Sequence, residues 1–332
     1  MTTRRFMAAF VLLLAALIVP LWLKDAFLIQ LLFRVAIFAV VGIAWNLVGG
    51  YAGQLSMGHA AYFGLGGYGF SLLHMNFGIG MWLSLLLGSV VAGFAAMVIG
   101  SVTFRLRGHY FALSTIATAE IVRIVALNAS FTHGAIGILS PSLFAGPGAD
   151  ARFYGTAVIL LAISLVFARW THTSRFGYYL RAIRQDEDTA MAIGIDPARY
   201  KLLALIPSAL LTGMAGGIYT SFSQFVSPES ILSTDISVQA AVIAMLGGAA
   251  TVWGPLVGSL VLTISSEVFK AFFKEAHLLI YGLLLIVVVL VLPGGVMSLF
   301  GRLRRLFARG SRRRRSRAVL RGFRRIESGG PA

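Results

Sequence analysis

Residues 26–48, AFLIQLLFRVAIFAVVGIAWNLV, carry a single charge, Arg34, in twenty-three positions. A helix needs about 20 apolar residues to cross the hydrocarbon core of a bilayer, so this run is long enough to span one. Working outward from it, comparable runs recur at 6–23, 59–75, 81–104, 108–128, 153–170, 202–222, 236–248, 255–272 and 277–292. The pattern predicts an all-α, polytopic transmembrane bundle of about ten helices. The run at 236–248 is short and ends in Gly247-Gly248, with Gly254-Pro255 close behind. A second Gly-rich interruption lies at 49–69. Irregular backbone is tolerated at membrane depth only where protein buries it or it lines a cavity, so some helices are expected to be broken or re-entrant at these two places. Paired interruptions in opposite halves of a chain point to a transporter site. Close helix packing through Gly49/Gly53, Gly213/Gly217 and Gly254/Gly258 is the other reading, and the two are compatible.

Composition agrees with the spans. The chain is 58% hydrophobic and 12% charged, with a mean hydropathy of +0.85, whereas soluble domains have about 45–50% apolar and about 25% charged residues. The net charge of +16 would suggest nucleic acid in a soluble protein, but its distribution argues otherwise. Twelve of the 28 Lys and Arg lie between Arg302 and Arg325, and a polybasic tail beside a span is attracted to anionic lipid headgroups. The chain therefore divides into a membrane domain at 1–300 and an Arg-rich, flexible cytoplasmic tail at 301–332, with membrane lipid as a partner and no nucleic acid expected. The amino-terminal run at 6–23 is long for a signal peptide and lacks a cleavage motif, so it reads as a retained helix. The absence of cysteine excludes disulfides, thiolate metal sites and cysteine nucleophiles.

Basic residues set the orientation. With the amino terminus inside, and leaving the tail aside, the inner segments hold ten Lys and Arg against four outside. Both termini are therefore expected in the cytoplasm, together with the one long polar segment between spans, 171–201. Its apolar positions Leu180, Ile183, Ala190, Ala192 and Ile193, with charges between them, predict short helical pieces on that face.

Few motifs carry chemistry. Gly64 to Gly69 fits GxGxxG, but no strand precedes it and no acidic residue falls between Gly69 and Arg105, so it reads as helix packing. No GxxxxGK[ST] is present, and His59 and His74 lack metal-ligand spacing. No catalytic residue, metal site or cofactor of its own is expected. The ionisable residues inside spans are Arg34, Glu120, Arg123 and Glu267, costly in hydrocarbon and therefore expected to be paired. Glu120 and Arg123 share a helix face at a spacing of three; Arg34 has no local partner, so Glu120 or Glu267 is sought near it.

The run Asn46-Leu47-Val48-Gly49-Gly50-Tyr51-Ala52-Gly53-Gln54-Leu55-Ser56-Met57-Gly58-His59 resembles the signature of the branched-chain amino acid permease family, in its LivM-like form. Tyr110-Phe111-Ala112-Leu113, Ala119-Glu120-Ile121, Arg181-Ala182-Ile183-Arg184, Ala192-Ile193-Gly194-Ile195 and Leu246-Gly247-Gly248-Ala249-Ala250-Thr251-Val252-Trp253-Gly254-Pro255 extend the likeness over about residues 26 to 300. The resemblance implies a permease subunit of an ATP-driven importer in the bacterial inner membrane. It implies as partners a sister permease, two cytoplasmic ATPase subunits that use ATP and Mg, and an extracytoplasmic solute-binding protein. It also implies that 171–201 is the ATPase-coupling loop: such loops follow E-A-A-x-x-x-G, and Asp188-Thr189-Ala190 with Gly194 stands in that register, Asp replacing Glu and Thr replacing Ala. Asn46, Gln54, Ser56 and His59 are the candidates to line the translocation path by alternating access. Urea, short amides or aromatic acids are alternative cargoes for permeases of this appearance. An ion-coupled secondary transporter is the rival outside the class; it wants unpaired acids at mid-membrane.

Overall fold

The computed structural model describes residues 25–272, with isolated positions toward either end (7, 8, 10, 11, 15 and 295–297). The expected span at 6–23 is thus described only at isolated positions, and the span at 277–292 and the tail at 301–332 lie outside the described residues.

Helix α1, Ala26–Trp45, starts where the Asp25 carboxylate accepts the backbone N–H groups of Phe27 and Leu28, satisfying donors that a helix start leaves free. It runs into a π-helical turn, Asn46–Tyr51, and the chain is then irregular until α2, His59–Phe77. Helices α3, Met81–Thr103, and α4, His109–Asn128, follow. After an irregular connection come α5, Ala149–Thr173, two short helices α6, Arg175–Gln185, and α7, Glu187–Ala192, and the long α8, Pro197–Ser223. A four-residue helix α9, Pro228–Ile231, leads to α10, Thr234–Gly247, and α11, Gly254–Phe272. One small antiparallel ladder joins β1, Ile138–Leu139, to β2, Phe225–Val226.

Each of the eight interior spans read from the sequence is a helix. Among the described residues, six segments are long and apolar enough to cross a membrane. The chain is therefore an all-helical, multi-pass membrane bundle. The eighth span begins earlier than its apolar run, because α9 and α10 together form one 20-residue segment, Pro228–Gly247. Ser227 caps its entry with a capping box to Ser230, polar chemistry that hydropathy alone does not detect.

Helices α2, α3 and α8 pack closely on one another, and small residues let them approach. A Cβ on Gly66 would strike the Gly213 backbone, one on Gly69 the Gly88 backbone, and one on Gly216 the Phe63 carbonyl. Without a hydrophobic drive between helices in lipid, such close backbone packing is a main source of cohesion. Helix α1 lies against α5, α8, α10 and α11, and the rings of Phe33, Phe153 and Phe222 fill the α1–α5–α8 junction at centroid separations of 4.3–6.2 Å. Helix α4 stays at the edge, with Tyr110, Leu113, Ile121, Ile124 and Val125 exposed along it.

Because Gly216 abuts a carbonyl rather than a flexible side chain, Gly216→Leu forces α2 and α8 apart. We expect a cost of about 2–3 kcal/mol, read as a loss of folded protein and a lower melting midpoint in detergent, with Gly155→Leu, whose Cβ meets nothing, unchanged.

Candidate functional site

Residues 174–201 fold as a compact knob. Ser174 caps α6 by accepting the Gly177 N–H, Asp186 caps α7 by accepting the Thr189 N–H, and Asp196 caps α8 by accepting the Arg199 N–H. The Thr189 N–H holds the Asp186 carboxyl below the usual carboxylate range. A lowered native pKa stabilises above the unfolded value and is lost as pH falls through it, so this cap persists at neutral pH and weakens only in acid. Ile183, Ala190 and Ile195 form a small buried cluster under Tyr179 and Tyr200. At the end of α7 the chain turns through Gly194, at φ +86°, with N–H bonds from Gly194 to Met191 O and from Ile195 to Ala190 O. This left-handed turn suits glycine. It leaves Met191, Ala192, Ile193 and Gly194 exposed at the tip, with Ile193 at 69%. Of the four positions in the coupling register, Asp188, Thr189 and Gly194 face outward and Ala190 is buried beneath them.

The knob is bolted to the broken helix. Arg184 donates from Nη1 to the Gly50 carbonyl at 2.7 Å, and Gly53, at φ +73°, leaves room for the Arg184 stem. Glu187 gathers three donors: Gln54 Nε2 at 3.0 Å, Lys201 Nζ at 2.5 Å and, more distantly, Arg107 Nε at 3.9 Å. Arg107 also reaches Asp188 at 2.9 Å. The Lys201 side chain is 1% exposed, so Glu187 neutralises a cation with no access to water. Sequence reading counted Lys201 among ordinary inner-face charges; only the three-dimensional proximity of 54, 107, 187 and 201 reveals the cluster.

The four path candidates converge on the break. All are buried: Asn46 1%, Gln54 7%, Ser56 1% and His59 0% exposed. In this conformation each holds backbone or a neighbour. Asn46 accepts the Ala250 N–H at 2.8 Å and donates to the Thr251 carbonyl at 2.9 Å, tying the first Gly-rich break to the second. Ser208 donates to the Ala44 carbonyl at 2.6 Å and so accepts from His59 Nε2 at 2.9 Å. That leaves His59 Nδ1 to accept from Ser56 Oγ at 3.3 Å, one neutral tautomer fitting all three bonds. Further backbone groups of the break are met by Trp45 Nε1 on Ser56 O, Thr115 on the Met57 N–H and Ser237 on the Ala60 N–H. These supporting side chains lie far apart in sequence, and no local motif marks them.

The intramembrane charges pair. Glu120 and Arg123 bond through both carboxylate oxygens at 2.5–3.1 Å. Of the two partners sought for Arg34, Glu267 is the one present, at 3.2 Å, and it also reaches Lys270 at 3.3 Å. Among the described residues no three His, Asp or Glu side chains are grouped to hold a metal.

Residues 27–289 match the family described as branched-chain amino acid transport system permease component. The chain is 29% identical over 291 residues to the high-affinity branched-chain amino acid transport system permease protein LivM of Salmonella typhimurium, covering 79% of this chain and 68% of that one. It is 26% identical over 284 residues to the corresponding protein LivH of the same organism, covering 79% of this chain and 91% of the relative. A probable permease protein LivM of Methanocaldococcus jannaschii is 23% identical over 313 residues, covering 79% and 90%. Among solved structures, PsaBC from Streptococcus pneumoniae in complex with Fab overlays 83% of this chain and 95% of that one, at 13% identity and a TM-score of 0.46, too low to carry an argument.

Since Asn46 is the only side chain bonded to both breaks among the described residues, Asn46→Ala leaves the Ala250 N–H and the Thr251 carbonyl without it. Each stranded buried group costs about 1–3 kcal/mol. We expect a clear drop in melting midpoint for the purified chain, while Asn128→Ala, at an exposed helix end, has little effect.

Proposed function

The chain belongs to the family of branched-chain amino acid transport system permease components, and from that premise we propose that it imports branched-chain or similar aliphatic amino acids as one of two permease subunits around a shared path. Two cytoplasmic ATPase subunits supply the energy, using ATP and Mg at sites of their own, and an extracytoplasmic binding protein delivers the substrate. A bundle of about ten helices with both termini in the cytoplasm fits the distribution of basic residues.

One observation carries the coupling mechanism: the knob at 174–201 holds the break at 46–58 directly, through Arg184 on Gly50 and Glu187 on Gln54. Its exposed apolar tip, Met191 to Gly194, is suited to a groove on a partner, and the surrounding Arg181, Asp188 and Arg199 set orientation. A displacement of the tip by an ATPase then pulls on the carbonyl end of the broken helix. Because Asn46 joins the two breaks, both move together, opening one end of the path and closing the other. In this view Asn46, Gln54, Ser56 and His59 hold the break shut in the conformation described and meet the path when it opens. An aliphatic zwitterion needs an apolar route with a few polar groups, and these four are the polar groups beside the break.

The reading is tested by reconstituting the chain with its sister permease, ATPases and binding protein in liposomes and following labelled L-leucine. ATP-dependent uptake supports it; uptake by this chain alone without nucleotide overturns it. Arg184→Met keeps the side-chain bulk and removes the bond to Gly50, so ATPase binding and hydrolysis should persist while uptake falls about tenfold or more. Gly194→Ile forces a β-branched residue into a left-handed turn at about 1–2 kcal/mol. A Cβ there meets nothing within this chain, so the permease should still assemble with its sister subunit but co-purify with far less ATPase; undiminished ATPase retention would rule out docking at the tip.

A further inference from the structure

Away from the knob, α4, α9 and the start of α10 enclose a recess of about 300 Å³ lined by Glu120, Arg123, Glu229, Ser233 and Thr234. Glu120 lies about 16 Å along α4 from its His109 end, near the middle of the helix, while Glu229 follows closely on β2, on the side that the orientation above places outward. The volume is at the lower end of the range for small-molecule sites, enough for a small metabolite and too little for a peptide.

The charges in this recess do not balance. Arg123 offers five N–H donors, and Glu120 engages it only through Nε and Nη2. The Nη1 edge has no partner among the described residues. Glu229 is exposed and makes no hydrogen bond or ion pair among the described residues, yet it lines the same recess as Arg123. Two carboxylates and one guanidinium leave one negative charge uncompensated beside an open donor edge. What is missing is a cation near Glu229 and an acceptor at Arg123 Nη1. A free anion meets two carboxylates; a simple cation leaves the guanidinium edge unused. A molecule carrying an ammonium and a carboxylate on adjacent carbon atoms meets both needs.

Resting on the reading above that this chain carries amino acids, we propose that the recess is the outer entry station of the path, where Arg123 receives the α-carboxylate and Glu229 the α-ammonium of an amino acid. Such a station grips what all amino acids share. It therefore selects for the zwitterion and leaves discrimination among side chains to the binding protein. Charge complementarity of this kind steers and orients a ligand more than it tightens binding, which suits a site that must pass its ligand onward.

The assembled transporter, purified without its binding protein, is titrated with labelled L-leucine in a scintillation proximity assay. We expect weak saturable binding, displaced by valine and alanine alike but not by isoamylamine, which lacks the carboxylate, or by isocaproate, which lacks the ammonium. Glu229→Gln, at an exposed position, and Arg123→Lys, which keeps the charge and loses the fork, should each weaken binding about tenfold in a complex that still purifies with all its subunits. Displacement by isoamylamine as effective as by leucine makes the recess a cation site and overturns the proposal, as does wild-type binding and uptake by Glu229→Gln. A complex that imports leucine with its binding protein yet shows no saturable binding alone overturns the entry station and leaves the transport function standing. Failure to import any amino acid with the binding protein present removes both.

Discussion

Where two helices join within a packed bundle, the buried connection leaves backbone N–H and C=O groups that water cannot reach, and each costs several kcal/mol if unmet. The largely buried connection at 52–58, after the π-helical turn, imposes that requirement, and much of the surrounding structure answers it. Trp45 takes the Ser56 carbonyl, Thr115 the Met57 N–H, Ser237 the Ala60 N–H and Arg184 the Gly50 carbonyl. Elements scattered from residue 45 to residue 237 are thereby drawn to one point. The second break is held by the same logic, with Thr251 capping locally on Gly248 and Gly254 and Asn46 bonding across to it. Two weak places in the bundle are thus made one connected unit by the need to satisfy their own backbones.

That unit has a consequence for energy transfer. Coupling between distant sites requires an element with two arrangements that both sites bias. In the proposed coupling the break is that element, because bonds from side chains, unlike a continuous i to i−4 ladder, can be exchanged in groups. Glu187 is the hinge of the exchange: it neutralises the buried Lys201, holds Gln54 of the break and faces Arg107 at the start of the neighbouring helix. Breaking a buried pair by removing one partner costs about 3–5 kcal/mol, so Lys201 and Glu187 move together rather than part. In the proposed coupling, these contacts carry a shift of the knob to the break rather than letting the loop absorb it.

The sequence shows the secondary structure well and the connections poorly. Apolar runs bounded by Gly and charge place the interior helices, since membrane spans are dictated by length and composition alone. The helical pieces in 171–201 are legible from their caps and apolar spacing, and the Glu120–Arg123 pair from a separation of three. Arg34 could be seen to need an acid, but choosing Glu267 over Glu120 required knowing that α1 and α11 touch. Asn46 bonds to residues about two hundred positions away, and Lys201 is buried by a fold that its basic neighbours gave no reason to suspect. Polar residues beside a break invite the reading of a lined path; their second task, satisfying the backbone of that break, depends on partners that no local pattern names.

The arrangement of charge also bears on where the energy enters. A carrier driven by protons needs an acid at membrane depth whose proton can come and go, and so one whose charged form is not already held. Glu120 faces Arg123 through both oxygens, and Glu267 is shared by Arg34 and Lys270. His59, deep in the bundle, is fixed in a neutral form by Ser208 and Ser56, and a proton added at Nδ1 would have to displace the bond from Ser56. Glu120 and Glu267 therefore each stand paired with a cation, and neither is a free acid. The charges around Glu187 lie at the junction of knob and break, and it is there that the proposed coupling turns a push from a cytoplasmic ATPase into a rearrangement of the bundle.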